Sequence, residues 1–544
     1  MTLKIPKWLL LCFAAFFLST GAKLSQDLFE FSKNLEIFSA VYKEVGEKYV
    51  DDVPPGQLIN TAIKSMLNSL DPYTVFFSEY QAEESLIERQ GEYGGVGCRV
   101  TSRNGKHIVT DIIKGYGFDK GGIALGDVLL KIDETNIENL QSDELMQFFR
   151  GAPNSTFQIT VKRNSETLVK TITRASIKSN DVPFAGFVNS EIGYIKLDEF
   201  GRNCSKAIES ELKKMENSGN LKGLILDLRD NGGGLLNEAV DIVGLFVGEN
   251  KLVVSLKGDG NQGPKNWKTT APAIAPNLPL IVLINDKSAS ASEVVSGSLQ
   301  DLDRAVIIGQ NSFGKGLVQN YSNLPYRTQM KITTARYYTP SGRCIQRLNY
   351  DKKDLNGKAT IKTNDQKRSF KTLIGRTVFD GGGIDPDIKI NKFQGLQFIE
   401  WMDKEFLLFD WANLYFNDNQ SQLSPVGIET KSNELFENYK QFILKKGPEN
   451  LQIIWQRAMK NLGADSFWIK KQLIIPNNDK TQQEFNALLT KHKNEILYEL
   501  KKAILYRILI PKEYHNVMLT IDPEIKRCLM AFKNPQEMNL SNSK

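Results

Sequence analysis

A serine hydroxyl is a poor nucleophile at neutral pH unless a neighbouring base removes its proton. Histidine is the usual base, yet this 544-residue chain carries only His107, His492 and His515. They fall in stretches that read as a small β module and a helical tail. They lie far from the run Ser288-Ala289-Ser290-Ala291-Ser292-Glu293. Lys315, in Phe313-Gly314-Lys315-Gly316, is the economical substitute, and a serine–lysine pair is the chemistry these residues allow. At an ordinary pKa of about 10.4, roughly one lysine in 2,500 is neutral at pH 7. Acting as a base therefore requires a fall of about three units, on the order of 4 kcal/mol. Burial supplies such a fall. The neighbours Phe313, Gly314, Gly316, Leu317 and Val318 bring no carboxylate that would hold the proton on.

Gln319 is a candidate for orienting the amine. Residues four apart in a straight strand lie about 13 Å from each other, too far for direct contact. Either the glycines flanking Lys315 bend the chain, or Gln319 acts through another geometry. The third element is Asp227-Leu228-Arg229-Asp230-Asn231-Gly232-Gly233-Gly234, which ends an apolar run and enters a helix. Glycines there let backbone N–H groups approach a developing oxyanion. A tight turn needing positive φ explains one such glycine more readily than three. Ser288, Ser290 and Ser292 follow the apolar Leu280–Ile284 and open a helix, whose first N–H groups favour an anion. Helix capping is the bland role for these serines, and Ser288 is expected to fill it.

These pieces need a layered scaffold. From residue 178 to about 393, apolar strand-like runs alternate with helical patterns, which predicts an α/β core. The strand-like runs are Gly193–Leu197, Leu224–Leu228, Leu280–Ile284, Ala305–Gly309 and Lys331–Tyr338; the helical ones are Cys204–Met215, Leu235–Val247 and Ala291–Leu302. Residues 27 to about 90 read as helical, with Leu35, Phe38, Val41, Tyr42 and Val45 on one face and Asp71-Pro72 as a stop. From 92 to 177 short β runs take over, with Asn104-Gly105 as a hairpin turn. The last 150 or so residues are helical and Lys-rich, for example over Glu484–Ile510, which Pro511 ends.

The β module resembles a PDZ domain. Gly94-Gly95-Val96-Gly97 stands where that family receives a C-terminal carboxylate, and Gly121–Asp127 fits its small-residue turn. More broadly, residues 35–389 resemble the C-terminal processing peptidases, or tail-specific proteases. The matching motifs are Leu70-Asp71-Pro72-Tyr73, Asp227–Gly234, Ser288–Glu293, Phe313–Gln319, Ala335–Gly342 and Gly382–Asp387. The resemblance implies an α/β, ClpP/crotonase-like protease core with an inserted PDZ domain, an N-terminal helical segment and a C-terminal helical domain. It implies Ser290 as nucleophile, Lys315 as general base and Gln319 as its orienter. The N–H groups of Gly234 and Ala291 would form the oxyanion hole, with a triple glycine where many members carry Asn-Pro-Gly-Gly. Gly95, Val96 and Gly97 would bind the substrate's carboxylate. The implied partners are proteins or peptides with unstructured C-termini; an activating adaptor and self-association are left open. The implied boundaries are a signal over 1–22, helices over 23–90, PDZ over 91–177, core over 178–393 and helices over 394–544.

Other classes fit less well. Gly309 to Gly316 nearly spells a phosphate-binding loop, but Gly316 stands where Mg²⁺ needs a hydroxyl. Ser312-Phe313-Gly314-Lys315 matches S-x-x-K without the companion S-D-N and K-T-G triplets. A net charge of +6, with lysines spread along the chain, carries no nucleic-acid footprint. H-E-x-x-H and dinucleotide fingerprints are missing, so neither metal nor organic cofactor is expected. The alternative is a catalytically silent PDZ-bearing scaffold that binds protein C-termini. Lys4 and Lys7, the apolar Trp8 to Leu18 and Ser19-Thr20-Gly21-Ala22 have the layout of a secretory signal. An exported, periplasmic protein is expected, at most peripherally attached to the membrane or held by an uncleaved N-terminal segment. Cys98, Cys204, Cys344 and Cys528 are widely spaced and leave any disulfide open.

Overall fold

The computed structural model describes residues 7–79, 81–83, 85, 92–178, 180–258, 263–353, 359–361, 366–391, 396–445 and 486–538. Two compact units result. One comprises the N-terminal segment to residue 82 together with 319–333; the other is the remainder.

In the first unit, helices Lys7–Lys48 and Pro55–Asn68 are followed by the strand Val75–Phe77. The strand lies within a stretch read from sequence as helical. Asp71 explains the change of direction: its carboxylate accepts the amides of Tyr73 and Thr74, both at 2.8 Å, closing a turn after the helix. The apolar Val75–Phe77 then pairs antiparallel with the start of Gln329–Tyr338, Val75 opposite Lys331. Among the described residues no helix is long and apolar enough to cross a membrane.

In the larger unit, the PDZ domain is an antiparallel sheet in the order Cys98–Arg103, Lys106–Ile112, Val128–Ile132, Thr156–Arg163, Glu166–Thr173. Asn104 and Gly105 both have positive φ, 51° and 70°, the backbone that a two-residue hairpin turn demands. Phe118 meets Phe149 edge to face at its centre, and Phe157 lies tilted against Phe149. Glu92–Gly95 pairs with Ala175–Lys178, so the chain enters and leaves this domain through one antiparallel neck. That is the geometry of an insertion.

The α/β core is built on a six-stranded sheet in the order Phe184–Phe187, Ile192–Lys196, Gly223–Asp227, Leu280–Ile284, Val306–Gly309, Ile388–Lys389. The first pair is antiparallel and every other pair parallel. Successive side chains of a strand face opposite ways, and here both ways are covered. Leu224, Leu226, Leu280, Val282 and Ile284 pack on helices Cys204–Asn217, Leu236–Val247 and Ala291–Asp301. Ile225, Ile281 and Leu283 pack on Leu519, Ile525 and Cys528 of the C-terminal helices Pro511–Ile521 and Pro523–Phe532. This double burial is why the central strands are apolar throughout rather than alternating.

The C-terminal helices form a second core around Trp411, Tyr439, Leu500 and Ile504. The helix Lys493–Ile508 falls inside the expected run, while Glu484 lies outside the described residues. These helices also meet the PDZ sheet, where Arg103 forms a two-pronged bond with Asp410 at 3.0 and 3.3 Å and Tyr506 bonds Asp111. Cys98, Cys204, Cys344 and Cys528 form no disulfide with one another.

Candidate active site

Two loops leave the C-terminal ends of the parallel strands Gly223–Asp227 and Leu280–Ile284, the end where open α/β sheets place their ligands. The second loop ends at Ser290, the residue that caps helix Ala291–Asp301. Its φ of 58° and ψ of −113° lie outside the regions L-residues favour. Such strain persists only where surrounding bonds over-determine it, and they do. Ser288 Oγ accepts from Asn285 N at 2.9 Å and donates to the carbonyl of Leu228 at 2.8 Å. Ser288 is therefore a strap between the two loops and not the helix cap expected of it. Ser292 Oγ donates to the Asn231 carbonyl at 2.9 Å, and Ala289 N donates to the same oxygen at 3.0 Å.

Glu293 gathers the rest. One of its carboxylate oxygens accepts the amides of Ser290, at 2.9 Å, and of Lys315, at 2.8 Å. The other accepts the Gly314 amide at 2.7 Å and the Ser312 hydroxyl. The serine and lysine segments are thus bound to one oxygen atom, their amides no further apart than two hydrogen bonds laid end to end. Burial raises the Glu293 carboxyl above its ordinary range, while these four donors pull it back. Gly314, with φ of 88°, turns the chain just before Lys315, whose side chain is half-buried.

The glycine loop closes over the serine. A Cβ on Gly233 would stand 2.8 Å from Ser290 Cβ and 3.0 Å from Ala291 N, so only glycine permits this approach. The Gly233 amide is taken by Asn231 Oδ1 at 2.8 Å. Those of Gly234 and Ala291 find no acceptor among the described residues. Ser290 Oγ lies 2.9 Å from the hydroxyl of Tyr337. The histidines are elsewhere: His107 bonds Ser102 and Ile137 within the PDZ domain, His492 stands just before helix Lys493–Ile508, and His515 lies on helix Pro511–Ile521.

Gln319 belongs to the N-terminal unit, where its Nε2 donates to Thr333 Oγ1 at 3.2 Å. Thr74 contacts the same hydroxyl at 3.4 Å and is itself held by Asp71. In the PDZ domain, Ile113 N donates to the Gly97 carbonyl at 2.9 Å and Phe118 N to that of Val96 at 3.0 Å. Gly95 sits in the neck pair opposite Ala175, and Val96 and Gly97 follow it into the loop. The loop leads into Cys98–Arg103, which is an edge strand of its sheet.

The segments containing Glu293, Tyr337, Ser312 and Asp301 stand out in the sequence, but the roles of those residues do not. The motif Ala335–Gly342 grips both ends of the serine helix. Tyr337 meets Ser290 at one end; Thr339 and the Ser341 amide (3.0 Å) bond Asp301 at the other. Arg343, fully buried, pairs with Asp301 at 2.8 Å. The motif Gly382–Asp387 steadies the lysine segment, because Ile384 N donates to Ser312 Oγ at 2.6 Å. Such contacts link residues tens of positions apart, and spacing along the chain carries no signal for them.

Comparison with known proteins agrees with this architecture. The peptidase family S41 matches residues 191–353, and a PDZ domain matches residues 94–173. A carboxy-terminal-processing protease of Bartonella bacilliformis (strain ATCC 35685 / KC583 / Herrer 020/F12,63) is 35% identical over 319 residues, covering 58% of this chain and 73% of that protein. A probable CtpA-like serine protease of Staphylococcus aureus (strain MW2) is 30% identical over 381 residues, covering 70% of this chain and 75% of that protein. Among solved structures, a photosystem II D1 C-terminal processing protease matches with a TM-score of 0.37 and 24% identity, covering 65% of this chain and 92% of that one. With a protease core of this family and a PDZ domain inserted through a single neck, the chain belongs to peptidase family S41, the C-terminal processing serine proteases.

Proposed function

We propose that this protein is an exported, periplasmic endopeptidase that captures unstructured C-terminal tails through its PDZ domain and cleaves them by a Ser290–Lys315 mechanism. The observation that carries the reading is the Glu293 carboxylate, which bonds the amides of both segments while Ser290 is held in a strained turn. Lys315, as the neutral amine, takes the Ser290 proton while Oγ attacks the scissile carbonyl carbon. The amides of Gly234 and Ala291, at the start of a helix, receive the oxyanion. The proton passes to the leaving amine, and water then hydrolyses the acyl-enzyme with the same base. Gln319 orients the lysine amine. Gly95, Val96 and Gly97 take the tail's carboxylate, and the tail adds as a strand to the edge of Cys98–Arg103.

The test is cleavage of an unstructured peptide by wild type, Ser290→Ala and Lys315→Ala, with tail binding to the PDZ domain as folding control. Both variants should lose more than about 100-fold in kcat/KM while binding the tail normally. Equal cleavage by all three would overturn the mechanism. Tail binding without cleavage by any of them would favour the silent scaffold. Export rests on the basic, apolar, small-residue order of residues 4–22. Cell fractionation tests it, and size-exclusion of the full chain with substrate tests for an adaptor or self-association.

A further inference from the structure

Tyr337 is buried, 6% exposed, and belongs to the core around the serine helix. Its position is fixed from two sides. The strand Gln329–Tyr338 pairs Tyr337 with Leu256, and Tyr337 N donates to the carbonyl of Gly316, the residue after Lys315, at 2.9 Å. Its side chain reaches Ser290 Oγ at 2.9 Å. One residue therefore touches the serine hydroxyl with its side chain and the lysine segment with its main chain.

We propose that Tyr337 is a further catalytic residue, the fixed hydrogen-bond donor to Ser290 Oγ as that oxygen loses its proton and attacks. This rests on Ser290 being the nucleophile. A phenol has one proton to give. Burial raises that proton's pKa to about 12; the bond to Ser290 acts against the rise and nearby Glu293 adds to it. Tyr337 therefore stays protonated near neutrality and cannot serve as the base. With its hydroxyl donating, the serine's own proton is left for the base. As charge develops on Oγ the bond becomes charge-assisted, roughly doubling in strength. The balance is simple. The Oγ–H bond breaks and its proton goes to the base; the Oγ–carbon bond forms; the carbon–nitrogen bond then breaks and the amine leaves with that proton. Tyr337 keeps its own O–H bond throughout.

Tyr337→Phe removes one oxygen and keeps the ring. The readouts on the full chain are the rate of Ser290 labelling by a fluorophosphonate, kcat and KM on a tail peptide, and tail affinity. Labelling rate and kcat should fall about 10- to 100-fold, with KM and tail affinity within twofold. Labelling at the wild-type rate would overturn the proposal. Faster labelling would overturn it too, because the hydroxyl would then be a lock on the serine. A fall in tail affinity matching the fall in labelling would make Tyr337 merely structural. Ser290→Ala separates the two readings: if it is still labelled and still cleaves, the nucleophile assignment fails whatever Tyr337 does. If Ser290→Ala is inert and Tyr337→Phe is unchanged, only Tyr337 falls. Should Tyr337→Phe not fold, 3-fluorotyrosine at this position keeps the donor and strengthens it; labelling at or above the wild-type rate supports the role, and a tenfold fall overturns it.

Discussion

Glu293 and Asp227 are both buried carboxylates, 0% and 1% exposed, that hold the loops of the active-site end, yet their surroundings are opposite in kind. Glu293 accepts from four uncharged donors on two loops. Asp227 ends its strand against cations: Arg229 at 2.6 Å and Lys196 at 3.8 Å, with the Tyr194 hydroxyl at 2.7 Å. Burial pushes both carboxyls up. At Glu293 it prevails; at Asp227 the charges of Arg229 and Lys196 outweigh it and hold the group well below the carboxylate range. The cationic cluster extends outward, since Arg229 also binds Asp522 at 2.9 Å and Glu524 at 2.6 Å on the C-terminal helices. The loop that carries Ser290 is held by neutral donors. A loop that must be fastened to another layer of the fold is held by ions.

Arg229→Met strips the ionic region and should produce the largest effect. It leaves Asp227, Asp522 and Glu524 facing one another without their guanidinium. Removing one partner of a buried ion cluster costs about 3–5 kcal/mol. Urea unfolding should show that loss, and the helices Pro511–Ile521 and Pro523–Phe532 should become sensitive to an added protease. A change below about 1 kcal/mol would mean that the apolar contacts of Leu519, Ile525 and Cys528 hold those helices on the sheet by themselves.

Glu293→Gln probes the dipolar region with a smaller expected effect. The amide nitrogen would face N–H donors, leaving at least one buried group unsatisfied, for about 2 kcal/mol at neutral pH. Cleavage should fall at least tenfold as the serine and lysine segments lose their common anchor. The pH dependence has a definite sign. A carboxyl raised in the folded state contributes stability that is full below its unfolded value near 4.3 and is lost as pH rises through the folded value. The gap between wild type and Glu293→Gln should therefore be widest near pH 4 and narrow toward pH 8. Asp227 runs the other way: its contribution is present above about pH 3.9 and disappears only as pH falls through its much lower folded value. A gap that widens toward alkaline pH would show that the four donors, not burial, set the state of Glu293.

This contrast marks what could be read from the chain. The apolar runs around Leu224 and Leu280, the Asn104-Gly105 hairpin and the helix after Ser290 were legible because each depends on neighbours within a few residues. Strand Val75–Phe77 was not, because its partner Lys331 is supplied by a distant segment. Ser288 was misread for the same reason: a serine before a helix suggests a cap, and only the fold brings the Leu228 carbonyl to its hydroxyl. The charges of Arg229, Asp522 and Glu524 were visible as residues, but nothing in their spacing says that they meet.

The N-terminal unit offers an intermediate case, in which a carboxylate acts on a candidate catalytic side chain through neutral hydroxyls. Asp71 Oδ2 accepts from Thr74 Oγ1 at 3.1 Å; Thr74 Oγ1 accepts from Thr333 N at 3.3 Å; Thr333 Oγ1 accepts from Gln319 Nε2 at 3.2 Å. If Gln319 orients the lysine amine, its amide must present a fixed face, and the bond to Thr333 fixes which end is the nitrogen. Thr333→Val keeps the shape and deletes the acceptor. The Gln319 amide would then be free to flip, and kcat should fall about 3- to 10-fold, the worth of one neutral hydrogen bond. KM and thermal midpoint should hold, because the residue is only partly buried. A double variant with Gln319→Ala decides the route. If Thr333 acts through Gln319, adding Thr333→Val to Gln319→Ala costs nothing more; independent, additive losses would place the threonine's effect in the strand and leave the glutamine without its proposed support.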